Sequence, residues 1–549
     1  MQPRVPTVAG VAGRLWGRHA EKLPTILPPA DDITDGEQVT QVLPAVADGG
    51  EPRPAKREPR SQASTPRWWM VAVPVGLITA ALTSYGAGHE LYDDEYITDY
   101  VTRLSVPQLA HLIHGVDVVH LLYYVIITAW THVFGHSVLA LRAPSIIGMA
   151  VAAGAVTVLG RRLNGWWTGL AGGLLFAALP SVSNYGQWAR SYGFVVAVAC
   201  LDTLVLIHAL DRRSTRRWLL YAASSLVLAY LHMAAMMVLL PHAVLVFAAW
   251  RKERGRQRRD WLYCLAGVGI LTLPLLYGAS HQTRQVWWVN SDLASVRAYP
   301  GMLFGSPTVA WVVCLLGLVG AIRLAQSRPV EAVTLAVWAL VPPVLAYFTV
   351  PVLHMFYGAY QLFTLPAWVL LGGCALAPVR IAGRSQAAAQ LAGIVAAAIV
   401  LGLAGLAPQR AIRQSPYPGM PDLRAAATAV EAGYEPGDGI VYAGQPWPVS
   451  EIPFAYYLGS ATPKDVFLAV STQDEGTYYP DMCADSVACL ADTPRIWLII
   501  PNPKPGDDEY QGLSEDEAAA LRRLYDSGRT EEFTNIRVVL LTRKPASTK

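Results

Sequence analysis

From Trp68 to about residue 406 the chain passes through one apolar segment after another. A first segment starts at Trp68, and others lie at roughly 118–135, 141–160, 166–183, 191–209, 217–232, 235–250, 261–278, 308–325, 330–350, 359–378 and 386–406. A helix needs ~20 apolar residues to cross the hydrocarbon core of a bilayer, and only helices and closed barrels satisfy every backbone group there. The expected fold class is therefore an α-helical polytopic membrane protein. Composition agrees: 53% of the 549 residues are hydrophobic and 15% charged, against ~25% charged in soluble domains. The net charge of +3 comes from short basic clusters between apolar spans, which excludes a nucleic-acid footprint.

Those basic clusters set an expected topology, because cytoplasmic loops are enriched in Lys and Arg. Residues 1–66 mix Pro, Gly, Asp, Glu and Arg without an apolar period and read as a disordered cytoplasmic tail. They are not a secretory signal, since the first long apolar run begins only at Trp68. Arg53, Lys56, Arg57, Arg60 and Arg67 hold that tail inside. Arg161 and Arg162, Arg212 to Arg217, Arg251 to Arg259, Arg323 to Arg328, and Arg380 to Arg384 mark further cytoplasmic turns. Gln187 to Tyr192, His232, Arg284 to Trp288, His354 to Tyr357 and everything after Gln409 are then external. One conflict stands: the tail makes the first span run outward, while Arg161 and Arg162 make 141–160 run inward. Either 118–135 lies partly in the interface, or that arginine pair breaks the rule. A cytoplasmic start and an external end need an odd number of crossings, so eleven or thirteen are expected rather than the twelve candidates.

Between the first two spans lies LYDDEYITDYVTRLSVPQLAHLIHGVDVVHLLYY, residues 91–124. It carries more ionisable groups than a connector needs, and charges are costly in lipid, so these should sit in water or line a cavity. Asp94 and Glu95, with Asp93 beside them, are the candidate catalytic acids. A carboxylate at the bilayer surface can take a proton from a hydroxyl, or Asp94 and Glu95 can hold a divalent cation. Asp117, His120, Tyr123 and Tyr124 open the following span. SNYGQWARSYG supplies Gln187, Arg190 and Tyr192, and an external arginine is a natural partner for a lipid-linked phosphate. His232, Arg284 and Tyr360 complete the candidate donor and acceptor contacts. HExxH, CxxC, P-loop and GxSxG motifs are all absent from the sequence.

After Gln409 the composition becomes that of a soluble domain. PDLRAAATAVEAG and SEDEAAALRRLYDSG read as helices, and GIVYA, RIWLIIP and RVVLLT as strands. This predicts a small α/β domain without a phosphate-binding fingerprint, suited to covering a site or contacting acceptor. Cys200, Cys264, Cys314 and Cys374 fall in apolar spans, where cysteine acts as a small hydrophobe. Cys483 and Cys489 lie in the polar C-terminal part and are expected to pair, which requires an oxidising compartment. Arginine in excess of lysine and alanine-rich spans fit a high-GC bacterial genome.

The order of these features resembles the GT-C glycosyltransferases of the family 39 type, which includes protein O-mannosyltransferases and aminoarabinose transferases. The likeness is to the bacterial polyprenyl-phosphosugar-dependent members. The residues that carry it are Asp94-Glu95, DVVHLLYY, the ALRAPSIIGMAVAAGAVTVLGRRLNGWWTGLAGGLLFAALP run, SNYGQWARSYG and Leu231-His232, over about residues 68–380. The expected organisation is a GT-C-like transmembrane catalytic domain at 67–408 with an acidic first outer loop at 87–118, followed, from the change of composition after Gln409, by an extracytoplasmic domain at 409–549. It makes Asp94 the acid or base beside the acceptor hydroxyl, and turns Arg190 and Tyr192 toward the donor. Three positions depart from the family pattern. Trp188 stands where Glu is common, Val119 and His120 replace a His-Pro-Pro pattern, and Ala359 stands where an Arg-Tyr pair is common, leaving Tyr360. The phosphate contact of that missing arginine would come from elsewhere, with Arg284 the candidate.

The implied activity is transfer of one sugar, mannose first, from a polyprenyl phosphate to an envelope lipoglycan, polysaccharide or secreted protein. It would occur in a multi-pass protein of the bacterial plasma membrane, with inversion at the anomeric carbon. The alternatives are an arabinofuranosyl or other pentosyl donor, a lipid-linked sugar flippase, and a sugar-binding protein without catalysis. A flippase would place ionisable groups at the bilayer midplane and show two similar halves. This sequence gathers its acids in one loop.

Overall fold

The computed structural model describes residues 67–545, apart from 93, 213, 251–254, 283–288, 379–382, 445–450, 460–461, 479, 491–492 and 505. The expected tail at 1–66, and the candidates Asp93 and Arg284, lie outside the described residues.

Helix α1 (Trp69–Ser84) leads to two short helices, α2 (Asp94–Arg103) and α3 (Val106–Gly115), and then to α4 (Leu121–Phe134). The bundle continues with α5 (Val138–Asn164), α6 (Trp166–Ala178), α7 (Pro180–Gly186), α8 (Tyr192–Asp211), α9 (Thr215–Leu231), α10 (Leu239–Trp250) and α11 (Arg256–His281). Then come α12 (Leu293–Phe304), α13 (Pro307–Ser327), α14 (Pro329–Phe348), α15 (Val350–Leu353), α16 (Leu365–Leu376), α17 (Arg384–Ala404) and α18 (Leu406–Ala411). Among the described residues seven helices are long and apolar enough to cross a membrane, and four shorter apolar ones accompany them, at Trp69–Ser84, Val118–Phe134, Trp166–Ala178 and Met233–Ala248.

The contacts at the helix ends sort them into two levels. At one level, Gln257 reaches Leu210, Arg323 reaches Ala375 and Ala377, and Arg162 pairs with Asp211. At the other, Gln282 at the end of α11 bonds the α3–α4 turn, Gln409 bonds Ser183, and Arg413 bonds the end of α1. Both ends of α4 belong to this second level. Its start carries His120, near Arg190, and just past its end His136 meets Asp99 of α2 at 3.1 Å. α4 therefore runs beside α2 with both ends at the level of the acidic loop. α9, 17 residues long, joins the arginine-bearing level to the other. Among the described residues the apolar helices other than α4 are α1, α5, α6, α8, α9, α10, α11, α13, α14, α16 and α17, and seven of these are long and apolar enough to cross a membrane.

Small residues set the close approaches, as is usual where lipid offers no hydrophobic drive. A Cβ on Gly148 of α5 would stand 2.6 Å from the Gly193 carbonyl carbon of α8. That approach lets Ser145 Oγ donate to the Arg190 carbonyl at 3.0 Å, anchoring the loop that carries the candidate arginine.

The C-terminal part forms the expected small α/β domain. It comprises α19 (Leu423–Gly433), β1 (Gly439–Tyr442), α20 (Glu451–Leu458), β2 (Lys464–Asp465), β3 (Leu468–Val470), α21 (Thr472–Glu475), β4 (Asp481–Met482), α22 (Ser486–Leu490), β5 (Arg495–Pro501), α23 (Glu515–Leu524), β6 (Tyr525–Phe533) and β7 (Ile536–Arg543). The main sheet has the order β2-β1-β5-β7-β6, parallel from β2 to β5 and antiparallel beyond. The helix read at SEDEAAALRRLYDSG is shorter than its sequence suggests. Ser514 caps it in a capping box with Glu517, but Tyr525 to Gly528 turn into β6 to pair with β7. Cys483 and Cys489 are joined, with 6.5 Å between their Cα atoms.

Candidate active site

Asp94 and Glu95 occupy the first turn of α2, where the helix dipole favours carboxylates. Consecutive residues of a helix point ~100° apart, so the two acids face different neighbours. Glu95 is fully buried. Its Oε1 accepts from Arg142 Nε at 2.9 Å and from the Ala189 amide at 2.9 Å, and its Oε2 accepts from Arg142 Nη2 at 2.5 Å and from the Tyr92 amide at 2.9 Å. Arg142, also fully buried, spends its remaining protons on the carbonyls of Ala87, His89 and Glu90. This knot ties the outer loop to α5 and to the Arg190 loop. Both Glu95 oxygens are engaged, so Asp94 and Glu95 do not form a shared cation site. Among the described residues no three His, Cys, Asp or Glu side chains gather to hold a metal.

Asp94 keeps 37% of its side-chain surface exposed, and its Oδ2 stands 3.4 Å from Nη2 of Arg190, which is 7% exposed. Arg190 also donates from Nη1 to the Tyr124 hydroxyl at 3.3 Å, and its Nη2 lies 3.4 Å from His120 Nε2. Tyr124 in turn donates to Asp117 Oδ2 at 2.6 Å. Burial alone would raise the Asp117 carboxyl, but His120, Arg190 and the Tyr124 hydroxyl outweigh it and hold the group well below the usual carboxylate range. Burial likewise disfavours the Arg190 cation, and Asp94, Tyr124 and Asp117 overcome that, so the guanidinium stays charged. Asp117 itself has a left-handed backbone, φ 62°. Gln282 stabilises that turn, accepting from the Val118 amide at 2.8 Å and donating to the carbonyls of Ile113 and His114 at 2.9 and 3.1 Å.

Next to this network stands an aromatic wall. The Tyr192 and His232 rings are 6.1 Å apart, His232 and Tyr360 5.1 Å, and Tyr360 and Tyr357 5.2 Å. Tyr192 and Tyr360 lie within electrostatic reach of both Asp94 and Arg190. Here some buried polar atoms have no partner among the described residues: Arg190 Nε, Ser191 Oγ, Trp188 Nε1 and His232 Nδ1. Buried donors are normally satisfied, so a concentration of open ones beside an exposed carboxylate describes a surface shaped for a polar ligand.

The structure thus brings together Asp94, Asp117, His120, Tyr124, Arg190, Tyr192, His232 and Tyr360. Tyr123 is buried beside this group, with its ring against Tyr124 and Phe194 and within electrostatic reach of Arg190. One candidate falls elsewhere. Gln187 donates to the carbonyls of Thr83 and Tyr85 at 2.7 and 2.9 Å and accepts from His89 at 3.2 Å, fastening the end of α1. Sequence reasoning missed Arg142, Gln282 and Tyr478, whose hydroxyl donates to Asp117 Oδ2 at 3.0 Å. Only Arg142 left a signal, a lone arginine just inside an apolar helix.

An α-helical bundle with an acid-bearing loop and a small α/β domain is the arrangement of the GT-C fold, which the structural matches show. Over 86% of this chain and 98% of theirs it matches the structure of ArnT from Cupriavidus metallidurans bound to undecaprenyl phosphate, at 14% identity and a TM-score of 0.57. The apo form of that protein matches at 13% identity, 97% of its chain and the same TM-score. The oligosaccharyltransferase of Archaeoglobus fulgidus, in complex with zinc and sulfate, gives 12% identity over 78% of this chain and 68% of that one, with a TM-score of 0.46. More particularly, the dolichyl-phosphate-mannose-protein mannosyltransferase family is the one whose sequence model matches, over residues 120–277. That stretch includes His120, Tyr124, Arg142, Arg190 and His232. No curated protein matches the sequence.

Proposed function

We propose that this chain is a membrane glycosyltransferase that moves a single sugar, mannose, from a polyprenyl phosphate to a hydroxyl of an extracytoplasmic acceptor. The observation that carries the reading is the pairing of exposed Asp94 with buried Arg190 beside donors that have no partner among the described residues. The fold it shares with a protein solved with undecaprenyl phosphate supports a polyprenyl donor, and the matched family supports mannose.

In this reading Asp94 takes the proton of the acceptor hydroxyl as its oxygen attacks C1, and the C1–O bond to phosphate breaks. Polyprenyl phosphate leaves with the bonding pair, and the anomeric centre inverts. Arg190, held cationic by its acidic neighbours, stabilises charge developing on the departing phosphate. His232 and the tyrosines Tyr192 and Tyr360 line the sugar, and the lipid tail lies between helices. Glu95 with Arg142 positions α2, and no step passes through it. The acceptor is an envelope lipoglycan, polysaccharide or secreted protein. The positive-inside rule applied to the basic helix ends supports a site and C-terminal domain on the outer side, and the Cys483–Cys489 bond supports the same side.

The test is transfer of radiolabelled mannose from polyprenyl-phosphomannose into envelope fractions, by membranes carrying wild type or Asp94→Asn at equal expression. Transfer by the wild type alone supports the reading, and product analysis then names the acceptor. Silence from both sinks the mannose donor, and polyprenyl-phosphoarabinose is tried next.

A further inference from the structure

A short strap carries the C-terminal domain to Asp117, and α20 meets α2 nearby, where the Tyr457 and Tyr96 hydroxyls are 2.9 Å apart. From Ser471 to Tyr478 the chain runs along α2, α3 and the start of α4. Thr472 Oγ1 shares a hydrogen bond with the Tyr100 hydroxyl at 3.1 Å, and Gln473 Oε1 accepts from Gln108 at 3.4 Å. At Gly476, with φ +69°, an added Cβ would stand 2.5 Å from the His111 ring, and one on Gly115 would stand 2.3 Å from the Gly476 carbonyl oxygen. Two glycines facing each other let backbone lie directly on helix, and the strap ends with the Tyr478 hydroxyl beside Asp117.

There it meets the carboxylate that orders the arginine. Tyr478 donates to Asp117 Oδ2 at 3.0 Å, beside the 2.6 Å bond from Tyr124, and the two hydroxyl oxygens are 3.1 Å apart. A phenol has one proton. With the Tyr124 proton committed to Asp117, the lone pairs of that hydroxyl are left to accept from Arg190 Nη1 at 3.3 Å. The groups facing Asp117 are therefore His120 and Tyr124 from α4 and the turn before it, Arg190 from the α7–α8 loop, and Tyr478 from the strap.

We infer that Tyr478 is a positioning residue: the C-terminal domain is a working part of the phosphate-binding site, because its strap fixes Asp117 and Tyr124 and, through them, the direction of the Arg190 guanidinium. The inference rests on the proposed polyprenyl-phosphate chemistry and goes beyond it, since it gives the domain a role in binding that a cover would not have.

The test uses the full-length protein in detergent, undecaprenyl phosphate as the probe, and two variants on the same strap. Tyr478→Phe removes the hydroxyl at Asp117. Tyr100→Phe removes a hydrogen bond between the same strap and α2, away from Asp117. A hydrogen bond to a charged group is lost in the first, so undecaprenyl phosphate affinity should fall about tenfold. Its Tm should match that of Tyr100→Phe, and Tyr100→Phe should bind as the wild type does. Wild-type affinity in Tyr478→Phe overturns the inference. Equal loss in both variants also overturns it, since the strap would then act only by docking the domain. If the wild type itself does not bind undecaprenyl phosphate, the polyprenyl-phosphate reading falls and takes this inference with it, whereas the two preceding results leave that reading standing.

Discussion

Asp94 and Glu95 are neighbours in sequence, share the first turn of one helix and each faces an arginine, yet they are built for opposite ends. The Glu95–Arg142 pair is closed: side-chain exposure is 1% and 0%, and both carboxylate oxygens have two donors. The Asp94–Arg190 pair is open, at 3.4 Å with 37% of Asp94 exposed and Arg190 Nε without a partner among the described residues. A buried ion pair repays its desolvation only when geometry is good and the remaining lone pairs are satisfied. Glu95 meets that condition, and its oxygens have nothing left to offer a substrate. Asp94 falls short of it, and what it lacks as a structural pair is what a proton acceptor needs.

The largest effect should come from the open pair. Asp94→Asn should lower mannosyl transfer by ~10²–10⁴-fold, the range for loss of a general base, while Tm in detergent stays near that of the wild type. A comparable collapse of Tm would put Asp94 among the structural acids and end the comparison. The closed pair should respond the other way. Glu95→Gln leaves Arg142 buried and charged without its counter-ion, a change that costs about 3–5 kcal/mol in comparable buried pairs. Low membrane yield and a large fall in Tm are expected, and a well-folded but inactive Glu95→Gln would move Glu95 into the chemistry.

Asp117 is an intermediate case, buried but shared between the pairing network and the site. Its carboxyl titrates below the usual range, so the stabilisation it gives is complete above the unfolded value of ~3.9 and is lost as pH falls through the lower folded value. The Tm difference between wild type and Asp117→Asn should therefore stay flat from pH 7 to about 5 and shrink only below about 4. A difference that already fades above about pH 5 would mean that the folded protein does not hold the Asp117 carboxyl below its usual range.

What the sequence made legible, and what it hid, follows the same division. Apolar length and basic clusters yield the bundle, because desolvation of a helix is written residue by residue. They also expose the anomaly at 118–135, since α4 is apolar yet has both ends at one level. Asp94, Arg190 and His232 could be picked out because ionisable groups at the edges of apolar spans are costly. Which acid is structural could not be read, since Glu95 is distinguished only by Arg142, 47 residues away, and by amides brought to it through folding. Tyr478 was invisible for the same reason: its partner Asp117 is 361 residues distant, and one tyrosine in a polar loop carries no local pattern. The departure at Ala359 is legible, but the replacement expected at Arg284 lies outside the described residues.

A third arginine–acid pair gives the scale on which the first two can be judged. Arg162 and Asp211 meet at the arginine-bearing ends of α5 and α8 with 45% and 47% of their side chains exposed. Water screens such a pair, and holding two long side chains together costs entropy, so exposed pairs contribute ~0.2–1 kcal/mol or nothing measurable. Arg162→Ala should leave transfer at the wild-type level and shift Tm by no more than a degree or two. If it instead matched the damage of Glu95→Gln, contact between opposite charges would be the governing quantity at all three pairs. If it is silent, burial and the satisfaction of the second oxygen separate them, and the exposure of Asp94 becomes the property that marks it as the reacting acid.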